Sequence, residues 1–263
     1  MTPKKTSLKL TALFAATLLA FSAQAKIITD VDGNKIDIPD RVERVADLWH
    51  ANNQIVLLLG GADKLVATTT SIAANPWYAE VYPNIKNVPV LTNGETIQVE
   101  ELLSQKPEAV LLSKKSMLTE VNQAGLKGVR VSFQDFDGLK KTVRITAEVL
   151  GDKAPAVAES YIKELEDNIQ FVESRIKDVK EAQRPTVLHI TKGTDLLMID
   201  GGKSMIGEWI KMAGGKSVLP DEANMVTVTM ESIVEANPDV IIIGSSGNKA
   251  QAAIEKIKSD PSW

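Results

Sequence analysis

Two histidines, His50 and His189, and no cysteine set the limits of the metal and nucleophile chemistry open to this 263-residue chain. Without cysteine there is no thiol nucleophile, no disulfide framework and no thiolate-ligated zinc or iron–sulfur cluster. Two imidazoles cannot build a three-histidine zinc site either. His50 is the more pointed of the pair, because it follows a strand end and stands beside Trp49. An imidazole there could ligate a metal centre or bond a chelator, or it could occupy an N-terminal position on the next helix. His189 lies inside the apolar run TVLHIT and reads as a hydrogen-bonded core residue. The segment DGGKS, Asp200 to Ser204, invites a nucleotide-binding reading, but a phosphate loop needs a glycine where Leu197 stands. The helix start after Gly202 still offers backbone N–H groups to an anion. GSSG, 244–247, lacks the glycine two residues after Ser246 that a nucleophile elbow requires. With no coherent set of nucleophile, base and orienting group, no enzymatic activity is expected.

The elements that must carry these residues alternate short β-rich runs with longer helical patterns from Val42 onward, the signature of a parallel sheet covered by helices. At 44% hydrophobic and 24% charged, the chain has ordinary globular composition and length for two lobes. Before the first core strand, ITDVDGNKIDIP reads as a hairpin turning at Asp32-Gly33-Asn34. RVERVADLW is a strand ending near Trp49, and NNQIVLLLGG is a helix stopped by Gly60 and Gly61. KLVATTT is a strand ending at Thr70, followed by a loop containing Asn75-Pro76-Trp77-Tyr78, whose aromatics could stack on an organic chelate or cap the lobe. The longest helical pattern lies between Ala156 and Glu181, with apolar residues at Ile162, Leu165, Ile169, Val172, Ile176 and Val179. It suits a rigid strut between lobes better than a covering helix, since a new strand, PTVLHIT, follows Arg184-Pro185 at once. The expected class is therefore α/β, two lobes each with a parallel-type sheet covered by helices, joined by one long rigid helix. The expected spans are 26–150 for the first lobe, 151–184 for the linking helix and 185–263 for the second.

Residues 1–25 are set aside from fold reasoning. Lys4, Lys5 and Lys9 precede the apolar run Leu10 to Phe21, and Ala23-Gln24-Ala25 closes it, the three-part pattern of a cleaved secretory signal. About 12 apolar residues are too few to span a bilayer, which takes roughly 20. No cysteine follows to carry a lipid, so a soluble periplasmic protein is expected. The segment contains lysines and no acid, so its removal leaves a chain more acidic than the −4 of the whole. No basic stripe with interleaved aromatics appears, which argues against nucleic acid as a partner.

The chain also repeats itself. IQVEELLSQKPEAVLLS, Ile97 to Ser113, aligns with VTMESIVEANPDVIIIG, Val228 to Gly244. Each is a helix, a helix-stopping proline (Pro107, Pro238) and a buried strand, and the alignment sets Glu100 on Glu231 and Glu108 on Asp239. The helix ending at Gly60-Gly61 similarly matches MIGEWIKMAGG, which ends at Gly214-Gly215. Duplication of one plan into two lobes explains these coincidences better than a chance echo between two helix-strand units.

These blocks, together with ITDVDGNKIDIP, RVERVADL and the strut, run from Ile27 to Trp263 and resemble the periplasmic substrate-binding proteins of ABC importers for iron–siderophore complexes, haem and cobalamin. The resemblance implies a binding component that captures a metal chelate, most readily an iron one, and delivers it without chemical change to a permease dimer in the inner membrane. It implies no intrinsic cofactor and a monomeric protein. It also implies that Glu100 and Glu231, seven residues before the helix-ending prolines, dock onto permease arginines. A glutamate in the first turn of an exposed helix is favoured by the helix dipole as well, and that alone would account for either residue. A free metal ion or a molybdate-like oxyanion is the alternative cargo, and a periplasmic enzyme on the same fold a further one. Members of the family continue past the SDPSW stretch, so the second lobe is expected to be incomplete, with an uncovered sheet edge and face.

In open parallel sheets ligands sit outside the carboxyl ends of the strands, which selects loops. The first-lobe candidates are Trp49, His50, Thr70, Ser71, Lys114, Lys115, Ser116 and Phe133, with His50 the candidate metal ligand. The second-lobe candidates are Lys192 to Asp195, Gly202, Lys203, Ser204, Ser245 and Ser246. Lysines at these positions in an acidic chain favour an anionic ligand, although each taken singly also suits a solvated surface.

Overall fold

The computed structural model describes residues 25–245 and 249–263, so Ser246 and all but the last residue of the expected signal segment lie outside the described residues. In chain order the elements are strands β1 (Ala25–Thr29), β2 (Lys35–Pro39) and β3 (Val45–Asp47), helix α1 (His50–Leu58), β4 (Leu65–Thr69), α2 (Thr70–Ala73), α3 (Pro76–Val81) and β5 (Val90–Thr92). There follow α4 (Val99–Ser104), β6 (Ala109–Leu112), α5 (Lys115–Gln123), β7 (Gly128–Arg130), α6 (Phe136–Leu150) and α7 (Ala154–Ile176). The remainder comprises β8 (Thr186–Lys192), β9 (Asp195–Asp200), α8 (Met205–Met212), β10 (Lys216–Ser217), β11 (Val226–Thr227), α9 (Met230–Ala236), β12 (Val240–Ile243) and α10 (Lys249–Ser259).

β1 and β2 form the expected antiparallel hairpin. Gly33 takes φ 88° at its turn, and the Asp30 carboxylate accepts the N–H groups of Asp32 and Asn34, each at 2.9 Å.

The first lobe is a five-stranded parallel sheet in the order β5-β4-β3-β6-β7. β6 shows why a continuous apolar run is needed there. Ala109 and Leu111 enter a core with Ile55, Val143 and Leu150, while Val110 and Leu112 enter one on the opposite face with Leu102, Met117 and Val121. Both faces are covered, and all four residues are 0% exposed.

The second lobe is smaller and its sheet is mixed. β8 lies between β12, parallel to it, and an opposite flank shared by parallel β10 and antiparallel β9; β11 continues antiparallel beyond β9. Its core gathers Leu188, Ile190, Leu196, Ile199, Ile233 and Ala253 on one face. On β12, Val240 and Ile242 are 42% and 45% exposed, and the outer edge of that strand has no partner among the described residues.

The repeat found in the sequence is also a repeat of hydrogen bonds. α4 and α9 end in left-handed residues immediately before their prolines, Lys106 at φ 48° and Asn237 at φ 43°. Next, Glu108 N–H donates to Arg44 O at 2.8 Å and Asp239 N–H to Thr186 O at 3.0 Å. The two carboxylates return the favour, Glu108 accepting Arg44 N–H at 3.0 Å and Asp239 accepting Thr186 N–H at 2.7 Å. Each acid thus pins its strand to the start of the lobe's central strand. Similarly, Gly61 N–H closes α1 on Val56 O at 2.9 Å and Gly215 N–H closes α8 on Ile210 O at 2.8 Å, after Gly60 and Gly214 at φ 75° and 86°.

α7 has 23 residues, about 35 Å at the helical rise. Ala154, Ala158 and Ile162 bury its first half in the first-lobe core. Farther along, it meets α8 of the second lobe. It ends at Ile176, earlier than the pattern through Val179 predicts, and a single helical turn at Glu181–Gln183 precedes β8.

Candidate functional site

The carboxyl edge of the first sheet is organised from beneath by a buried polar network. Asp47, the last residue of β3, is 0% exposed. Its carboxylate accepts the Trp49 N–H at 3.1 Å and the Asn52 side-chain amide at 2.8 Å. Asn52 in turn accepts from the Thr146 hydroxyl, and Asn53 from the Thr68 hydroxyl, both at 2.8 Å. The Tyr78 hydroxyl donates to Asn53 O at 3.0 Å. No cation lies within ion-pair distance of Asp47 among the described residues, and desolvation outweighs its two hydrogen bonds, pushing its pKa up to about 8.

On this platform stand three of the predicted ligand residues. The Trp49 and Phe133 rings lie 5.0 Å apart between centroids, and the His50 ring meets Trp49 edge-on at 6.5 Å. His50 opens α1, so both of its sequence-level roles remain consistent with its place. Desolvation lowers its pKa, leaving a neutral imidazole near pH 7 with a lone pair to offer.

Opposite them, α8 of the second lobe brings Met205 and Trp209. A cavity of about 480 Å³ spans the two lobes, lined by His50, Phe133, Leu139, Tyr161, Met205 and Trp209 among others. Trp209 is 52% exposed despite its size. Its neighbour Glu208 reaches across the lobe boundary and accepts the Phe136 N–H at the start of α6, at 2.7 Å.

At the carboxyl edge of the second sheet, the ends of β8 and β12 and the start of α10 enclose a cavity of about 460 Å³, lined by Thr191, Lys192, Gly193, Thr194, Gly244, Ser245 and Lys249. Predicted residues Lys192, Gly193, Thr194 and Ser245 meet here.

The remaining candidates line neither cavity. Thr70 is exposed, its hydroxyl donating to Thr92 O at 3.2 Å. Lys114 is paired with Glu95 at 2.6 Å, and Lys115 lies 3.6 Å from Asp32. Lys203 lies 3.1 Å from Asp221. Ser204 is the N-cap of α8: its buried hydroxyl donates to Gly201 O at 2.7 Å and accepts from Gly207 N–H at 3.0 Å. Its polar capacity goes into the helix start. His189 fits its core expectation, half-buried with Nδ1 2.9 Å from Asp200. The segment expected as an aromatic loop is in fact α3, started by Asn75, whose side chain accepts from Trp77 and Tyr78 N–H, with Pro76 in its first turn. Tyr78 is buried and Trp77 is 79% exposed.

Glu100 and Glu231 occupy equivalent exposed places in the first turns of α4 and α9. The Glu231 N–H and the Thr229 hydroxyl hold its carboxyl below the usual range.

Residues that sequence reasoning missed include Asp47, Tyr161, Met205, Trp209 and Lys249. Asn52-Asn53, polar in an otherwise apolar helix, was the available signal for the network; Tyr161, Met205 and Trp209 join His50, and Lys249 joins Lys192, only through tertiary packing. No group of three His, Asp or Glu residues is arranged to hold a metal ion among the described residues.

Compared with known proteins, residues 45–263 match the family model described as periplasmic binding protein. The molybdate-binding protein MolA of Haemophilus influenzae is 24% identical over 288 residues, covering 97% of this chain and 79% of MolA. YvrC, an ABC transporter substrate-binding lipoprotein of Bacillus subtilis, is 24% identical, covering 87% of this chain and 71% of YvrC. The haem uptake protein IsdE of Staphylococcus aureus is 28% identical, with 65% of this chain and 59% of IsdE aligned. Among solved structures, molybdate-bound MolA superposes with TM-score 0.79 at 22% identity, over 90% of this chain and 78% of MolA. The haem-binding protein HmuT superposes with TM-score 0.69 at 20% identity, over 91% of this chain and 78% of HmuT.

Proposed function

Because the chain belongs to the periplasmic binding protein family, whose members here are substrate-binding components of ABC importers, we propose that it captures a metal chelate between its lobes and hands it unchanged to a membrane permease. The observation that carries this reading is the cavity spanning the lobes, with Phe133 and the neutral His50 on one wall and Trp209 on the other, and Trp49 packed behind Phe133. Aromatic faces suit an organic chelator, and an imidazole suits a metal centre with an open coordination position. The metal, iron by preference, is cargo rather than a resident cofactor. MolA, a molybdate-binding protein, and the haem proteins IsdE and HmuT bracket the chemistry of the cargo.

In this reading the signal segment is cleaved after Ala25 and the monomeric protein works free in the periplasm, with 26–150 and 185–263 as lobes about a 151–184 linking helix. Glu100 and Glu231 meet arginines of the permease dimer, which their matched positions in the two lobes support. The binding residues hold cargo and transform nothing.

Native mass spectrometry with elemental analysis of the full-length protein, purified gently from its own periplasm, tests the proposal. A bound mass of several hundred daltons carrying iron or cobalt is expected. An increment the size of a bare ion or oxyanion would replace the chelate by a molybdate-like cargo.

A further inference from the structure

The lysines selected from the sequence divide sharply once their partners are known. Lys114, Lys115 and Lys203 each have a carboxylate within ion-pair distance. Lys192 has none among the described residues, and neither does Lys249, yet both line the cavity at the carboxyl ends of β8 and β12. No acidic side chain lines that cavity, and Ser246, Gly247 and Asn248, which complete the connection in sequence, supply no carboxylate. Two ammonium groups without a carboxylate partner on one concave wall favour a bound anion.

Two further features belong to the same wall. The Thr191 hydroxyl is shielded from solvent and has no hydrogen-bond partner among the described residues, although buried hydroxyls are nearly always paired. The floor is backbone: Gly193 N–H donates to Gly244 O at 3.0 Å, and a Cβ on Gly244 would lie 2.7 Å from Thr191 O. Glycine at 244 thus lets the strand ends close together.

We propose that this pocket is a subsite for the anionic oxygens of the captured solute, held by the ammonium groups of Lys192 and Lys249 and the Thr191 hydroxyl. It rests on the solute-capture reading above and specifies the charge of the solute and the lobe that holds it. The same oxygens could belong to a free oxyanion or to the acidic arm of a chelate.

The full chain is compared with Lys192→Gln, Lys249→Gln and, as a paired-lysine control, Lys203→Gln, with circular dichroism to confirm folding. Affinity for sodium molybdate is measured by titration calorimetry, and retained solute by native mass spectrometry. If wild type binds molybdate and each cavity variant, but not the control, loses at least tenfold, the subsite is supported and takes a free oxyanion. If molybdate does not bind but a co-purified organic solute is lost at least tenfold in the cavity variants and restored by Lys→Arg, the subsite is supported and takes an acidic arm. Equal retention of either ligand by wild type and cavity variants overturns the subsite and leaves solute capture standing. Absence of any ligand on wild type overturns both.

Discussion

Replacing Asp47 by Asn should remove the pH dependence that this one buried carboxyl imposes on the first lobe. Asp47 is fully buried without a cation, and its pKa rises to about 8 from an ordinary 3.8. Between those values the folded protein holds a proton that the unfolded chain has released. This contribution to stability is therefore greatest below about pH 4 and is lost as pH rises toward 8, at up to about 1.4 kcal/mol per pH unit for one proton. The loss over the span is on the order of several kcal/mol. Asn is nearly isosteric and cannot ionise. Its NH₂ group would face Asn52, but rotating the Asn52 amide lets its oxygen accept, and the Thr146 hydroxyl, now donating to Asn52, can accept instead. Urea unfolding of wild type and D47N at pH 5, 6, 7 and 8, followed by tryptophan fluorescence, gives the difference in unfolding free energy at each pH. The variant should gain on wild type with every unit, by about 1 kcal/mol, and be the more stable protein at pH 8. Parallel curves would show that Asp47 is ionised throughout and that the hydrogen bonds from Trp49 and Asn52 suffice to solvate it.

Charge reversal at both Glu100 and Glu231 should abolish transport while solute affinity, read by titration of the purified protein, stays within about twofold; an equal fall in affinity would remove the docking assignment. Glu208→Ala deletes the acceptor that α8 offers to the Phe136 N–H across the lobes, and should cost about 1 kcal/mol and broaden the lobe-opening distribution seen by small-angle X-ray scattering. Gly244→Ala forces a methyl against Thr191 O and should both lower the urea midpoint and weaken retention of the captured solute, whereas Ser245→Ala, at an exposed neighbour, should leave the midpoint unchanged. Leu111→Ala empties a fully buried site between α1 and α6 and should cost about 2–5 kcal/mol in the same unfolding assay.

How much of this molecule is legible in its sequence depends on the range of the interactions involved. Helix stops, the hairpin at Gly33, the parallel first sheet and the duplicated helix-proline-strand unit are set by local conformational limits and by apolar periodicity, which neighbouring residues carry whole. The duplication extends to the hydrogen bonds of Glu108 and Asp239 because the same acid follows the same proline in both lobes. The place of Trp49 and His50 at the carboxyl edge of the first sheet is legible for the same reason, since they directly follow a parallel strand.

Tertiary structure decided what those residues face. α3 starts on a local Asn75-Pro76 signal, yet only packing turns Tyr78 inward to Asn53 and leaves Trp77 outside. Equivalent lysines in the sequence become unequal because Glu95, Asp32 and Asp221 arrive from other segments to neutralise three of them, while none reaches Lys192 or Lys249. The β9 hairpin strand occupies the flank of β8 beyond the short β10 and makes the second sheet mixed, a choice between pairings that strand propensity alone cannot rank. Asp47 shows the limit most plainly: its identity is written in the chain, but its charge depends on the desolvation imposed by β3, α1, α3 and α6 together.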